Sequence, residues 1–97
     1  MDYNVIHDER NKQFYIDLGQ EKAVLEYQFL DGEENIMDFY HTGVPESQRG
    51  KGVAAHLVKA AFSFVVAQNF KVRPTCSYVE YYINKNKPSE IIERLEK

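Results

Sequence analysis

A loop rich in glycine and basic residues, residues 49–52, joins two stretches of different pattern. Before it, residues 36–42 are aromatic and β-branched enough to predict a strand, which residues 43–45 end. After it, apolar residues recur at helical spacing over residues 54–65. Such a strand-loop-helix junction turns free backbone N–H groups and the positive end of a helix dipole towards one point. The sequence therefore predicts a binding site for an anion, phosphate above all.

The spacing of the glycines distinguishes this loop from two nucleotide-binding motifs. A P-loop has four residues between its first glycine and the Gly-Lys-Ser/Thr group, whereas six residues separate Gly43 from Gly50. Residues 50–55 fit the dinucleotide pattern with alanine in the third place, but a doubly wound domain needs more than one strand-helix-strand unit. Glycines that only form the turn before a helix are the plainer interpretation. Arg49 and Lys51 beside them favour the anion site.

Composition limits the domain count and the classes of partner. The 97 residues, 43% hydrophobic, predict a single domain over residues 1–97, with residues 87–97 as a C-terminal tail or short helix. Twelve Lys and Arg against fifteen Asp and Glu give a net charge of −3, which argues against a nucleic-acid partner. No apolar run approaches the roughly 20 residues that cross a bilayer, and the first residues lack signal-peptide features. With one cysteine, Cys76, and no internal disulfide, we expect a cytoplasmic protein without a membrane partner.

The pattern before the loop predicts a four-strand meander. Residues 4–7 are a short strand candidate, and residues 14–18 alternate apolar and polar side chains, the period of a half-buried strand. Residues 23–29 alternate in the same way, and Asp31 and Gly32 supply the turn into the strand that precedes the loop.

After the long helix, residues 71–78 predict a fifth strand. Pro74 cannot donate to a ladder, so it implies an edge or a place where neighbouring strands separate. Residues 80–86 predict about two helical turns, which Pro88 interrupts, and Ser89 can cap a last short helix. The predicted fold class is α+β: a mixed, mostly antiparallel sheet with one right-handed β-α-β crossover and a C-terminal helix.

The loop also spells Arg-x-x-Gly-x-Ala, at a strand break and a helix start. This resembles the acetyl-CoA signature Q/R-x-x-G-x-G/A of the GNAT superfamily of N-acetyltransferases, which surrounds the pyrophosphate. The resemblance implies a reduced GNAT-like fold and acetyl-CoA as cofactor. It also implies CoA binding by residues of the strand break, the loop and the helix start: Val44, Arg49, Gly50, Lys51, Gly52, Val53 and Ala54.

The resemblance covers about residues 14–86. The run His41-Thr42-x-Val44-Pro45 with Thr75-Cys76 narrows it to the small single-domain GNAT-like proteins. Typical members carry one or two helices between their first two strands, where this chain has a charged turn, so its acceptor side is reduced. The implied function is acetyl transfer to a small-molecule or peptide amine; the alternative is a CoA-binding or protein-interaction module without catalysis. The sequence indicates neither the acceptor nor the oligomeric state.

Acetyl transfer from a thioester to an amine needs a neutral amine, stabilisation of the tetrahedral oxyanion and a proton for the departing thiolate. The resemblance implies that the backbone N–H near Val44 faces the thioester carbonyl. His41 ends the fourth strand, and its unperturbed pKa of about 6.5 makes it a candidate general base. A partly exposed histidine without a catalytic role is the alternative.

The resemblance places Cys76 across a slot from the fourth strand. It is a candidate nucleophile that takes the acetyl group first, with His41 as its base, a candidate acid, or a small buried hydrophobe. Tyr81 and Tyr82 follow the fifth strand, where many family members carry a tyrosine that protonates the CoA thiolate. The sequence does not choose between them, and core packing is the alternative. The histidines and the cysteine lack metal-ligand spacing, so no metal site is expected.

Overall fold

Five strands form one sheet in chain order, and three helices follow the fourth strand. The computed structural model describes residues 3–30 and 32–96, without the side chains at 33 and 34. The strands are β1 (Val5–Asp8), β2 (Gln13–Asp17), β3 (Lys22–Leu30), β4 (Glu33–Gly43) and β5 (Lys71–Arg73). The helices are α1 (Val53–Gln68), α2 (Ser77–Asn86) and α3 (Ser89–Ile92). No helix in the described ranges is long and apolar enough to cross a membrane.

The first four strands pair antiparallel as a meander, and β5 lies parallel to β4 after the α1 crossover. The α+β prediction is therefore confirmed. The alternating residues of β2 and β3 form the core under α1, as their period predicts: Phe14, Ile16, Ala23, Leu25 and Tyr27 are buried. The predicted turn at Asp31 and Gly32 falls partly outside the described residues, which exclude Asp31; Gly32 has a φ of 73°.

A β-bulge in β4 decides which side chains face the helices. Leu25 pairs with Thr42, and Tyr27 pairs with Phe39. One residue separates the pair members on β3, but two residues separate their partners on β4. Cross-strand partners share a face, so Thr42 and Phe39 both point to the helix side of the sheet. His41 pairs with Glu26 and lies on the opposite face.

The predicted fifth strand over residues 71–78 is wrong beyond Arg73. The chain leaves the ladder at Pro74, which has no N–H to donate, and Cys76 is the N-cap residue of α2. The Cys76 N–H still donates to the Phe39 carbonyl oxygen over 2.8 Å, which keeps the start of α2 against β4. Buried Val79 anchors this first turn of α2, three residues earlier than predicted.

Pro74 follows the last paired residue of β5, which is the edge strand of the sheet, and marks the point where the chain leaves β4. The other side of β5 is occupied, because the Val72 N–H donates to the Arg94 carbonyl oxygen and the Glu96 N–H donates to the Val72 carbonyl oxygen, each over 2.9 Å. The short C-terminal helix is present, but the predicted Ser89 cap is wrong. Pro88 holds the N-cap position, Ser89 is the first helical residue, and no side chain caps α3.

Candidate functional site

The glycine loop, residues 49–52, connects a 3₁₀ turn, Glu46–Gln48, to the first residue of α1. Gly50 has a φ of 82° and Gly52 a φ of 77°, a left-handed conformation that side chains other than glycine adopt at a cost. A Cβ atom at either position would meet nothing within 4 Å. Backbone conformation rather than crowding therefore requires these glycines, and the space beside them is open.

The start of α1 carries no group that would compete with an anion. Gly52 is its N-cap residue, no side chain caps the helix, and its first turn contains no acidic residue. The first backbone N–H groups of a helix have no acceptor within it, and here they add to the positive end of a 16-residue helix dipole. Arg49 and Lys51 are exposed in the preceding loop. The arrangement can hold a phosphate group.

A cleft of about 300 Å³ opens at this loop. Tyr78 of α2 lines it from the opposite side. The Arg49 Nε atom donates to the Val44 carbonyl oxygen over 3.4 Å and joins the end of β4 to the loop. Six of the seven residues predicted to bind CoA line the cleft, and the seventh, Lys51, is exposed in the same loop: Val44, Arg49, Gly50, Gly52, Val53 and Ala54.

Tyr78 belongs to this cleft, although sequence reasoning selected other tyrosines. Burial raises the pKa of Tyr78, and the neighbouring Tyr82 and Tyr81 raise it further, so its hydroxyl is a proton donor at neutral pH. The signal that identifies it is the pairing of Tyr78 and Val79 with Tyr82 and Ile83, which repeats at helical spacing. The strand prediction for residues 71–78 used a period of two residues and therefore missed this helical spacing.

Cys76 lies against β4. Its Sγ atom is 3.3 Å from the Thr42 Oγ1 atom, and the thiol is partly buried. Thr42 is two residues before Val44, and Cys76 is two residues before Tyr78. Both segments therefore run from this contact to a residue that lines the cleft. The segments 42–44 and 76–78 thus meet at the Thr42–Cys76 contact.

A buried carboxylate fixes the segment that carries Cys76. Asp38 on β4 is 4% exposed, and its carboxylate accepts a hydrogen bond from the Gln28 Nε2 atom over 2.9 Å. The Thr75 hydroxyl donates to the other carboxylate oxygen. Because Thr75 directly precedes Cys76, these bonds hold the thiol in place without contacting it.

The structure does not bring His41 and Cys76 together. His41 is exposed and pairs with Glu26 on the face of β4 away from the helices, whereas Cys76 contacts Thr42 on the helix side. This placement does not support His41 as the base of Cys76, and that role stays a prediction. The His41 ring turns towards the end of the strand. This is shown by its Nε2 atom, which is 3.2 Å from the position that a Cβ atom on Gly43 would take.

Tyr81 and Tyr82 lie on α2, outside the lining of the loop cleft. The Tyr81 side chain is 54% exposed. The Tyr82 ring packs edge-on against Phe62, with ring centroids 5.8 Å apart. Both line a second cleft between α1 and α2, and Tyr78 lines both clefts.

Comparisons with known proteins identify the family. A family model described as GCN5-related N-acetyl-transferase matches residues 13–92. The human Protein NATD1 is 40% identical over 94 residues, which cover 95% of this chain and 81% of that protein. Protein NATD1 of Mus musculus is 39% identical over 94 residues, covering 95% and 84%, and that of Danio rerio 40% over 93 residues, covering 94% and 83%. The resemblance to the GNAT superfamily is thereby confirmed, and the chain belongs to the GCN5-related N-acetyl-transferase family.

Proposed function

We propose that this protein binds acetyl-CoA and transfers its acetyl group to an amine. The observation that carries the proposal is the uncapped start of α1, open to solvent and preceded by Arg49 and Lys51. These groups suit the CoA pyrophosphate, because backbone N–H groups, a helix dipole and two cations converge on it. The residues of the loop cleft therefore fit the cofactor, which supplies an activated acetyl thioester when bound.

The contacts along β4 support a path for the acyl arm. Val44 and Tyr78 line the cleft, and each lies two residues after a member of the Thr42–Cys76 contact, so we place the acyl arm along these two segments. Val44 lies beyond Gly43, the last β4 residue that pairs with β3. Its N–H therefore lies outside that ladder and is our candidate to stabilise the oxyanion of the tetrahedral intermediate. The Tyr78 hydroxyl is our candidate to give its proton to the departing thiolate.

Two routes to the product differ in the role of Cys76. In the direct route, the neutral amine forms the new C–N bond, the thioester C–S bond breaks, and the amine releases one proton. In the covalent route, the Cys76 thiolate attacks the acetyl carbon and the CoA thiolate leaves; the amine then attacks the acetyl-Cys76 thioester, loses one proton and releases the Cys76 thiolate. In both routes His41 lies on the opposite face of β4, so we propose that it accepts the proton of the incoming amine rather than that of the thiol.

The alternative function, a CoA-binding module without catalysis, has one structural observation in its favour. Only residues 9–12 connect β1 to β2, so the helices that border the acceptor in typical members are replaced by a turn. A smaller acceptor side lowers the number of contacts available to orient an amine. We retain the transferase as the better-supported proposal because Tyr78 lines the cleft at the anion site and the Cys76 thiol lies two residues before it in the chain.

Calorimetric titration with CoA and with acetyl-CoA tests the binding proposal. An acetylation screen over polyamines, amino acids and peptides then tests turnover. We expect binding of both ligands and release of free CoA thiol with at least one amine. Binding without turnover across the screen would favour the module, and no binding of either ligand would refute both proposals. A cytoplasmic location, also proposed, is tested by fractionation of the source cells.

A further inference from the structure

A second cleft lies between α1 and α2 and has a volume of about 350 Å³. His56 and Lys59 line it from α1, and Tyr81 and Lys85 line it from α2. Tyr78 lines both this cleft and the loop cleft, and Ala55 of this cleft directly follows Ala54 of the loop cleft, so the two clefts are adjacent. A ligand bound at the glycine loop would therefore have its nearest further contacts in the second cleft.

The charge of this cleft is opposite to that of the whole chain. Lys59 and Lys85 both line it, and its described lining residues include no carboxylate, although the chain carries a net charge of −3. Neither lysine forms an ion pair with a carboxylate in the described part of the chain. Two cations that share a cleft without a counter-charge repel each other, and an anion bound between them offsets this electrostatic repulsion. The cleft suits an anionic group.

Helix geometry sets the distance between this charge and the glycine loop. Lys59 lies five residues after Ala54 on α1, which is about 7.5 Å along the helix axis at about 1.5 Å per residue. A lysine side chain covers most of that distance. In CoA, the ribose that follows the pyrophosphate bears one further phosphate, on its 3′ oxygen, and an adenine ring.

The cleft also offers an aromatic surface for the adenine. Tyr81 is 54% exposed, and its ring centroid is 6.0 Å from that of Tyr78. The Lys85 ammonium lies 5.7 Å from the centroid of the Tyr81 ring, so cation and ring are presented together. Stacking on one exposed tyrosine tolerates any purine orientation that leaves the phosphate near the lysines.

We propose that the cleft between α1 and α2 binds the adenosine 3′-phosphate of CoA, with Lys59 and Lys85 on the phosphate and Tyr81 against the adenine. This inference rests on the proposed function, since the pyrophosphate must first occupy the glycine loop. Its consequence is selectivity: the protein should distinguish CoA from dephospho-CoA, which lacks only the 3′-phosphate.

A cycle of two ligands and four lysine variants tests the proposal. CoA and dephospho-CoA are titrated calorimetrically into the wild type, Lys59→Gln, Lys85→Gln and two controls. Lys51→Gln alters the glycine loop, and Lys22→Gln removes a cation on β3, where it lies 4.8 Å from the Tyr15 ring. The substituted lysines are all exposed, so the variants are expected to fold, which melting curves verify.

We expect the wild type to bind CoA roughly tenfold more tightly than dephospho-CoA. Lys59→Gln and Lys85→Gln should each weaken CoA binding about threefold or more and change dephospho-CoA binding less than about twofold. Lys51→Gln should weaken both ligands equally, and Lys22→Gln neither. The preference for CoA should also decrease as salt rises from about 0.05 to 0.5 M.

Two results would overturn the proposal in different ways. Equal affinity for CoA and dephospho-CoA, or a preference that survives both lysine variants, would exclude the cleft as the 3′-phosphate site while leaving CoA binding at the loop intact. Failure of both ligands to bind the wild type would refute the proposed function, and this inference with it.

Discussion

Replacing Gly52 with Asp should weaken CoA binding without unfolding the protein. Gly52 is the N-cap residue of α1, and a side chain built there would meet nothing within 4 Å. Its φ of 77° costs an ordinary residue about 1 kcal/mol, and Asp and Asn tolerate this region better than most. A carboxylate at this helix start also interacts favourably with the dipole, so the free protein should keep its melting temperature.

The matched control is Gly52→Asn, which has the same shape and backbone strain but no charge. Two unit charges 4 Å apart repel by about 1 kcal/mol in water and about 4 kcal/mol at an effective dielectric of about 20. Because Gly52 is exposed, we take the lower half of that range, about 1 to 2 kcal/mol. The Asp variant should therefore bind CoA roughly 5- to 30-fold more weakly than the Asn variant.

Calorimetric titration of CoA into both variants measures this ratio, and circular dichroism melting checks the fold. The ratio should fall towards one at high salt, since the effect is electrostatic. If the Asp variant is folded and binds CoA as tightly as the Asn variant, the pyrophosphate does not lie at the glycine loop.

Three further predictions concern single side chains. Cys76→Ser keeps a hydroxyl near Thr42. For this variant the covalent route predicts normal CoA affinity and lost transfer, and for the wild type it predicts an acetyl adduct by intact mass. Full turnover of the variant, with no adduct on the wild type, excludes that route. Tyr78→Phe should lower the transfer rate about 100-fold with CoA affinity within about twofold, while Tyr15→Phe changes neither; an unchanged rate removes Tyr78 as the acid. Burial lowers the pKa of His7, which shares a 2.7 Å hydrogen bond with the Tyr27 hydroxyl, so the unfolded chain gains the proton first. Stability should fall as pH drops below about 6.5, and melting from pH 7.5 to 5 should show a smaller loss in His7→Gln; equal losses would contradict this assignment.

The strands that could be predicted are those whose two faces differ in environment. β2 and β3 have one face under α1 and one in solvent, so burial alternates along the chain and their register follows the sequence pattern. The glycine loop was predictable because glycine is the residue that most readily adopts a positive φ, which Gly50 and Gly52 both have.

The predicted fifth strand failed because two periods compete in one short segment. Val72, Pro74, Cys76 and Tyr78 alternate, which favours a strand, but Val79 and Ile83 also fit a helix that begins at Ser77. Burial of both residues against the core decides for the helix. The misplaced helix start also explains why Tyr78, one helical turn before Tyr81 and Tyr82, was not among the candidate tyrosines.

The position of His41 could not be predicted, because it depends on one extra residue in β4. In a regular strand Phe39 and His41 share a face, which would put the imidazole beside Cys76 under the helices. The bulge between the pairs Tyr27–Phe39 and Glu26–His41 exchanges the faces, so Thr42 takes the helix side instead. No local composition marks this bulge, since it arises from pairing with β3.

The same bulge determines where the two halves of the proposed reaction can meet. The thiol and the glycine loop lie on the helix side of β4, and His41 lies on the other side. Between them β4 pairs with β3 as far as Gly43, and side chains cannot pass through a paired sheet. Beyond Gly43 the ladder ends, and Val44 lines the cleft where both faces of the strand become accessible. An amine whose proton is accepted by His41 must therefore approach the thioester around the end of β4, next to the Val44 N–H, rather than from the side that Cys76 occupies.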